Sequence, residues 1–292
     1  EAETSGFDGV FLPERHHRTE TMFPPPLVLL AGYATRTSKV DLGTFVLQTP
    51  YYNPMHLAED VAMIDLMSKG RVILGIGLGY HPDYFRLFNE PYQHRFSRFE
   101  ESIEIIRTAW SSHEPFSYNG KRFQFENVML TPKPYQRGGP PLWIGAAYPE
   151  AIARAGRLGD AWGILPFWDP IPNLRSQASQ YRESAAAHGR DAKVVLMRDG
   201  WVAPTRKEAE QTFGPLWVEE MLFYWRWGQP ATLTTMQLNS HWGINMEKLV
   251  GNEWPDVGFM GLFTTKTSED EEEAFPDRKR FPGEATKDSA SP

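Results

Sequence analysis

The chain has 292 residues, of which 41% are hydrophobic and 23% charged, enough for one large soluble α/β domain or two small ones. Its net charge of −7 argues against nucleic acid as a partner, which requires a basic face, and the complete absence of cysteine excludes disulfides and thiolate chemistry, which fits the cytoplasm. No apolar run reaches the roughly 18 residues of a membrane helix, and no secretory leader stands at the start.

The first element is a short apolar strand, Val10 to Leu12, leading into Pro13-Glu-Arg-His-His17. Pro24-Pro25-Pro26 then opens a helix through about Thr37, because the first turn tolerates proline. Val40 to Leu47 reads as one strand, and Pro54 begins a helix that stops at Ser68-Lys69-Gly70. Arg71 to Gly79 is the next strand, followed by a helix from Ser97 to Trp110 and a small hairpin between Ser117 and Pro134. The alternation resumes with a strand at Pro141–Gly145, a helix at Pro149–Leu158 and a strand at Ala161–Leu165. A helix at Asn173–His188, a strand at Lys193–Val202 and a helix at Thr205–Trp227 follow, with Val257–Phe263 as the last strand. From Thr264 to Pro292 the chain is charged and broken by proline, as disordered tails are.

Repeated βα units of this length predict a parallel sheet with helical crossovers. The strand count, with one more strand expected upstream of Glu1, favours a (β/α)8 TIM-type barrel over residues 1–263 rather than an open sheet. Functional side chains of such a fold sit on the loops after the strands, which is where His16 and His17 fall. A surface turn is the bland alternative. Metal binding is not expected, since no zincin spacing accompanies the pair.

Gly75-Ile-Gly-Leu-Gly79 departs from the dinucleotide-binding fingerprint, because Tyr80 occupies the third glycine position. Its glycines alternate onto one strand face, the mark of close approach by a ligand ring or by another stretch of backbone. Trp217-Val-Glu-Glu-Met-Leu-Phe-Tyr-Trp-Arg-Trp227 concentrates aromatics on a helix, a pattern of core or subunit interface more often than of a pocket roof.

Several motifs, in order, carry a family resemblance. Leu57-Ala-Glu-Asp-Val-Ala-Met-Ile-Asp-Leu-Met-Ser-Lys-Gly-Arg71 with the glycine strand resembles the bacterial luciferase-like monooxygenases. So do Glu14-Arg-His-His17, Gly43 to Pro54, Thr131-Pro-Lys-Pro-Tyr-Gln, Pro140-Pro-Leu-Trp-Ile-Gly and Gly159-Asp-Ala-Trp162. The resemblance runs from Gly6 to Pro204 and fades beyond. It implies a TIM-type barrel that binds reduced FMN, or in one branch the deazaflavin coenzyme F420, at the carboxyl ends of its strands. With FMN the implied reaction is oxygenation of a small organic substrate by O2, with reduced flavin supplied by a separate reductase, in a homodimer. With F420 it is hydride transfer. A non-catalytic flavin-binding subunit or inactive incomplete barrel is the alternative from another class.

Carried onto this sequence, His16 or His17 takes the place of the family's catalytic histidine, with the register open by one residue. Phe45-Val46 matches the family's non-proline cis peptide beside the flavin, and Gln48 and Thr49 follow at the strand end, placed either to hydrogen-bond the ring edge or to face solvent. Gly77, Leu78 and Gly79 line the glycine strand end, with Leu78 where the luciferases hold an arginine for the flavin phosphate. Ala146 and Ala147 replace a Glu-Ser pair, which leaves the phosphate to backbone N–H groups at the helix start near Ala147 and Tyr148.

Overall fold

The structure is a computed structural model that describes residues 1–16, 25–164, 171–197 and 201–226. Two compact units make up the chain: Glu1–Phe167 with Ile171–Asp199, and Trp168–Pro170 with Gly200–Pro292.

In the first unit, β1 (Gly9–Leu12) leads to α1 (Pro26–Ala34), whose Pro26 stands at the first helical position. β2 (Asp41–Thr44) and β3 (Leu47–Gln48) precede a 3-10 turn at Thr49–Tyr51 and α2 (Pro54–Ser68). The Asn53 side chain caps α2 by accepting from the N–H groups of Met55 and His56 at 2.9 and 3.4 Å. Lys69 and Gly70, with φ of 58° and 85°, turn the chain left-handed at its end, and the Gly70 N–H closes on the Asp65 carbonyl at 2.9 Å.

β4 (Val72–Gly77) is followed by α3 (Pro82–Leu87), α4 (Arg95–Ser111) and an antiparallel hairpin of β5 (Phe116–Asn119) and β6 (Gln124–Val128). β7 (Leu142–Ala146), α5 (Pro149–Leu158), β8 (Ala161–Ile164), α6 (Ile171–Ala187) and β9 (Lys193–Leu196) complete the unit.

The strands pair in parallel in the order β1-β2-β4-β7-β8-β9, with β3 beside the far end of β4. Neighbours in space are neighbours along the βα sequence, as in a barrel and unlike a doubly wound sheet. Strand alternation gives the sheet two apolar faces. Leu42, Leu74, Ile76, Leu142, Ile144 and Trp162 pack with helix residues such as Leu57, Val61, Ile103 and Tyr181. Ile73, Trp143 and Ala161 gather Phe11, Phe45 and Val195 on the other face, where Phe11 stacks on Trp143 at 5.1 Å.

The expected elements return with three corrections. Val40 to Leu47 is two strands, because the chain leaves β2 after Thr44 and rejoins β4 only at Leu47, opposite Ile76. The strand expected to run to Gly79 stops at Gly77, and an unforeseen helix, α3, begins at Pro82. In place of a strand to Val202, β9 ends at Leu196. Val257–Phe263 and Thr264–Pro292 lie outside the described residues.

In the second unit, α7 (Arg206–Arg226) contains Pro215 and starts where the Thr205 hydroxyl accepts the Glu208 N–H at 3.2 Å. Trp201 stacks on Phe213 at 5.5 Å, and Trp217 is buried. The later aromatic side chains of the stripe lie outside the description.

Candidate functional site

Beyond β1 the chain stays extended, and its period-2 alternation buries Leu12, Glu14 and His16 together. Glu14 is wholly buried, a costly placement for a carboxylate without partners. Its Oε2 accepts the backbone N–H of Gln48 at 2.5 Å, and its Oε1 accepts the hydroxyl of Tyr52. His16 Nε2 lies 3.0 Å from the same Oε1, an ion-pair distance approached off the N–H axis, so that it does not count as a directed hydrogen bond.

Gln48 ties the network together. Its Nε2 donates to the Glu14 carbonyl at 3.3 Å, and its Oε1 accepts the Tyr51 hydroxyl at 2.9 Å. Tyr51 and Tyr52 are placed by the 3-10 turn and by the Asn53 cap that fixes the start of α2.

An aromatic shell surrounds His16. Its ring meets Tyr51, Tyr84 and Phe88 edge-on at 6.2, 5.6 and 4.8 Å. α3 supplies Tyr84 and is capped by the buried His81, whose Nδ1 accepts the Asp83 N–H at 3.3 Å. Burial pushes the hydroxyls of Tyr51 and Tyr52 far above the usual tyrosine range, and the Glu14 charge adds to it. Burial, then neighbouring Tyr80, does the same to Tyr84. These phenols therefore remain protonated donors at any physiological pH. The buried Thr49 hydroxyl has no hydrogen-bond partner among the described residues.

The remaining expected residues divide. The Phe45–Val46 peptide is cis. A Cβ at Gly75 would run into the Thr44 carbonyl, and one at Gly77 would stand 2.6 Å from Val46 Cγ2. The close approach at these two glycines is thus made by the protein's own chain. The Phe45 ring in turn lies over Gly163, where a Cβ would stand 2.6 Å from it. Gly79, with φ of 75°, abuts the Tyr51 hydroxyl, so His16, Gln48 and Gly79 converge on one tyrosine. Leu78 packs partly buried against the main core.

Ala146 is buried at the end of β7, where its carbonyl accepts from Trp162 Nε1 at 3.0 Å. Ala147 and the exposed Tyr148 lead into α5, which has no side-chain cap and carries Glu150 in its first turn. Among the described residues this corner shares no hydrogen bond or ring contact with Glu14, His16 or Gln48. His17 lies outside the described residues.

Sequence reasoning quoted Glu14 but did not place it in the site. The signal was present: Glu14 and His16 stand two apart beyond a strand, so they share a face. Tyr51, Tyr52, His81 and Tyr84 carried no comparable signal.

A parallel βα sheet in chain order, with a buried carboxylate and imidazole at the carboxyl end of a strand, defines a TIM-barrel-type protein with its polar site on the usual face. The family model described as luciferase-like monooxygenase matches residues 1–276, and the chain belongs to that family. It is 28% identical to the oxygenase component of a flavin-dependent trigonelline monooxygenase from Acinetobacter baylyi, over 72% of this chain and 59% of that one. It is 29% identical to an F420-dependent glucose-6-phosphate dehydrogenase from Amycolatopsis mediterranei, over 75% of this chain and 72% of that one. Two of the curated relatives it matches are thus spanned for only 57% and 59% of their own length. A crystal structure of a monooxygenase from Streptomyces bottropensis superposes with a TM-score of 0.71 at 24% identity, covering 94% of this chain and 78% of the other, which supports the barrel fold alone. Among the described residues, no helix is long and apolar enough to cross a membrane.

Proposed function

We propose that this chain is the oxygenating component of a flavin-dependent monooxygenase, working with reduced FMN from a separate reductase, O2 and a small organic substrate. The observation that carries the reading is the buried Glu14–His16–Gln48–Tyr51–Tyr52 network at the carboxyl ends of β1 and β3. The name of the trigonelline relative, an oxygenase component, supports a partner reductase. The absence of cysteine fits work in the cytoplasm.

The residues present suit such a cofactor in two respects. The buried Thr49 hydroxyl keeps a hydrogen bond to give, beside Gln48. The open start of α5 offers main-chain N–H groups at Ala147 and Tyr148 to a phosphate, against the charge of Glu150. Gln48, Thr49 and Gly79 would hold the ring side, and Ala147 and Tyr148 the phosphate. When bound, reduced FMN supplies the electrons that activate dioxygen.

The protein's own part is to exclude water and to handle a proton. The aromatic shell of Tyr51, Tyr84 and Phe88 keeps His16 largely from solvent. Imidazole titrates near working pH, which suits it to take or give the proton of a substrate group.

F420-dependent hydride transfer is the second reading. Leu78 at the position of the phosphate arginine and the likeness to the F420-dependent dehydrogenase favour it. Equilibrium titration with FMN, reduced FMN and F420, followed by stopped-flow mixing of the reduced complex with O2, separates the two. Preferential binding of F420 without oxygen consumption overturns the first reading. His16→Ala is expected to lower turnover by about 10²–10⁴-fold with flavin affinity changed much less. Unchanged turnover removes His16 from the mechanism.

A further inference from the structure

We infer that Glu14 is the positioning residue for His16, holding its proton on Nε2 so that Nδ1 is the atom that exchanges a proton with substrate. The inference rests on the proposed reading of His16 as the proton-handling residue.

It begins with the polarity of the contacts. A backbone amide can only donate, and Gln48 donates to Oε2 of Glu14 at 2.5 Å. The Tyr52 hydroxyl, kept protonated by burial, donates to Oε1. Glu14 is therefore the acceptor at both oxygens and is held at both ends, so it cannot turn away from the imidazole. Although the approach is off the N–H axis, a ring nitrogen 3.0 Å from a carboxylate oxygen favours the N–H form, because the carboxylate charge attracts the N–H dipole and repels a lone pair. In neutral His16 this leaves the lone pair on Nδ1.

The proton balance then closes within the pair. The substrate X–H bond breaks, Nδ1–H forms, and the Nε2 proton stays against Glu14. The negative charge passes to the substrate, and the new imidazolium lies beside a carboxylate that was buried in advance. This is the role the buried aspartate plays in a Ser-His-Asp triad, which orients the imidazole and stabilises its charged form without taking the proton. Other groups around the ring do not supply that charge. Tyr51 and Tyr84 are neutral, Tyr80 and His81 contact the Tyr84 ring and carry no negative charge, and Asp83 pairs with Arg86 and faces His81. Arg15, adjacent in the chain, is cationic. Among the described residues, Glu14 is the one carboxylate at ion-pair distance from His16.

The test uses the full chain with isotope-labelled histidine, without cofactor or substrate, so its outcome does not depend on which flavin the protein uses. His16→Gln assigns the His16 signals in the nitrogen–proton spectrum. Wild type is expected to show the Nε2–H tautomer. Glu14→Gln should move the His16 titration midpoint downward, because a charge is lost. Tyr52→Phe should move it upward, because the carboxylate loses a competing donor and leans on the imidazole. Opposite shifts are not produced by loosened packing. With an active assay, Glu14→Gln should lower kcat by about 10–100-fold with a smaller change in KM, and Glu14→Asp should restore part of it. An Nδ1–H tautomer in wild type overturns the inference, as does one midpoint shared by wild type and the variants. If Glu14→Gln does not fold, an unmoved midpoint in Tyr52→Phe is sufficient to overturn it. Unchanged turnover in His16→Ala instead overturns the functional reading and leaves the spectroscopic result standing.

Discussion

Two glutamates flank β1, and they are used in opposite ways. Glu3, ahead of the strand, is half-buried at the surface, and its carboxylate accepts the backbone N–H groups of Ser38, Lys39 and Val40 at 2.8, 2.7 and 3.2 Å. Glu14, beyond the strand, is wholly buried and accepts one backbone N–H, a phenol and the approach of an imidazole. Both join β1 to the segment that follows α1. Main-chain donors do not titrate, so the Glu3 end can only brace the entry to β2. The groups at Glu14 include an imidazole, a side chain able to exchange a proton, and the proposed chemistry lies at that end. The contrast matches the division of labour in a βα barrel, with stability at the amino ends of the strands and chemistry at the carboxyl ends.

The largest expected effect tests whether Glu14 is also structural. Glu14→Ala leaves the Gln48 N–H and the Tyr52 hydroxyl buried without an acceptor, at about 1–3 kcal/mol for each. Denaturant unfolding should therefore show a clear loss of stability, together with loss of turnover. A variant as stable as wild type means that water or a rearrangement satisfies both donors, and the contrast with Glu3 weakens.

A smaller effect belongs to the face between the two ends. Gly75→Ala drives a methyl group onto the Thr44 carbonyl, which is backbone and cannot swing aside. Overpacking of this kind costs about 1–3 kcal/mol. Unfolding midpoints check it. A neutral substitution would mean that the β2–β3 segment yields easily, and Phe45 and Val46 would then be poorly fixed beside the site.

The same positions explain what was legible in the sequence. Glycine and proline at helix ends, with apolar runs between them, sufficed for α2, α5 and the strands β7 and β8, because those boundaries depend on local chemistry. The break after Thr44 was not legible. It depends on Gly75 and Gly77 across the sheet, which leave room for the Thr44–Val46 segment. α3 was missed because its six residues are too few for a periodic pattern. In the candidate site, the His16–His17 pair was legible from its place after a strand, though not which member matters, and the spacing that puts Glu14 on the face of His16 was present but unused. Tyr52 comes from 38 residues further along the chain and Tyr84 from an unforeseen helix, so only the fold brings them to the pair.

The smallest effect lies at Glu3, and its sign follows from the hydrogen bonds. The backbone N–H groups of Ser38, Lys39 and Val40 favour the ionised form and hold the carboxyl near pKa 2, against an ordinary value of 4.5. The folded state therefore binds this proton less readily than the unfolded state. The stabilisation is complete above pH 4.5, declines as pH falls towards 2, and is absent below that. Because Glu3 is only half-buried and open to solvent and salt, the contribution is modest and shrinks further at high ionic strength. Glu3→Gln should leave stability at pH 2 almost unchanged, lower it slightly at pH 6, and flatten the stability curve between them. Denaturant titrations of wild type and variant at these two pH values measure the difference directly. An equal loss at both would mean that Glu3 acts through shape rather than charge, and would erase one side of the contrast between the two ends of β1.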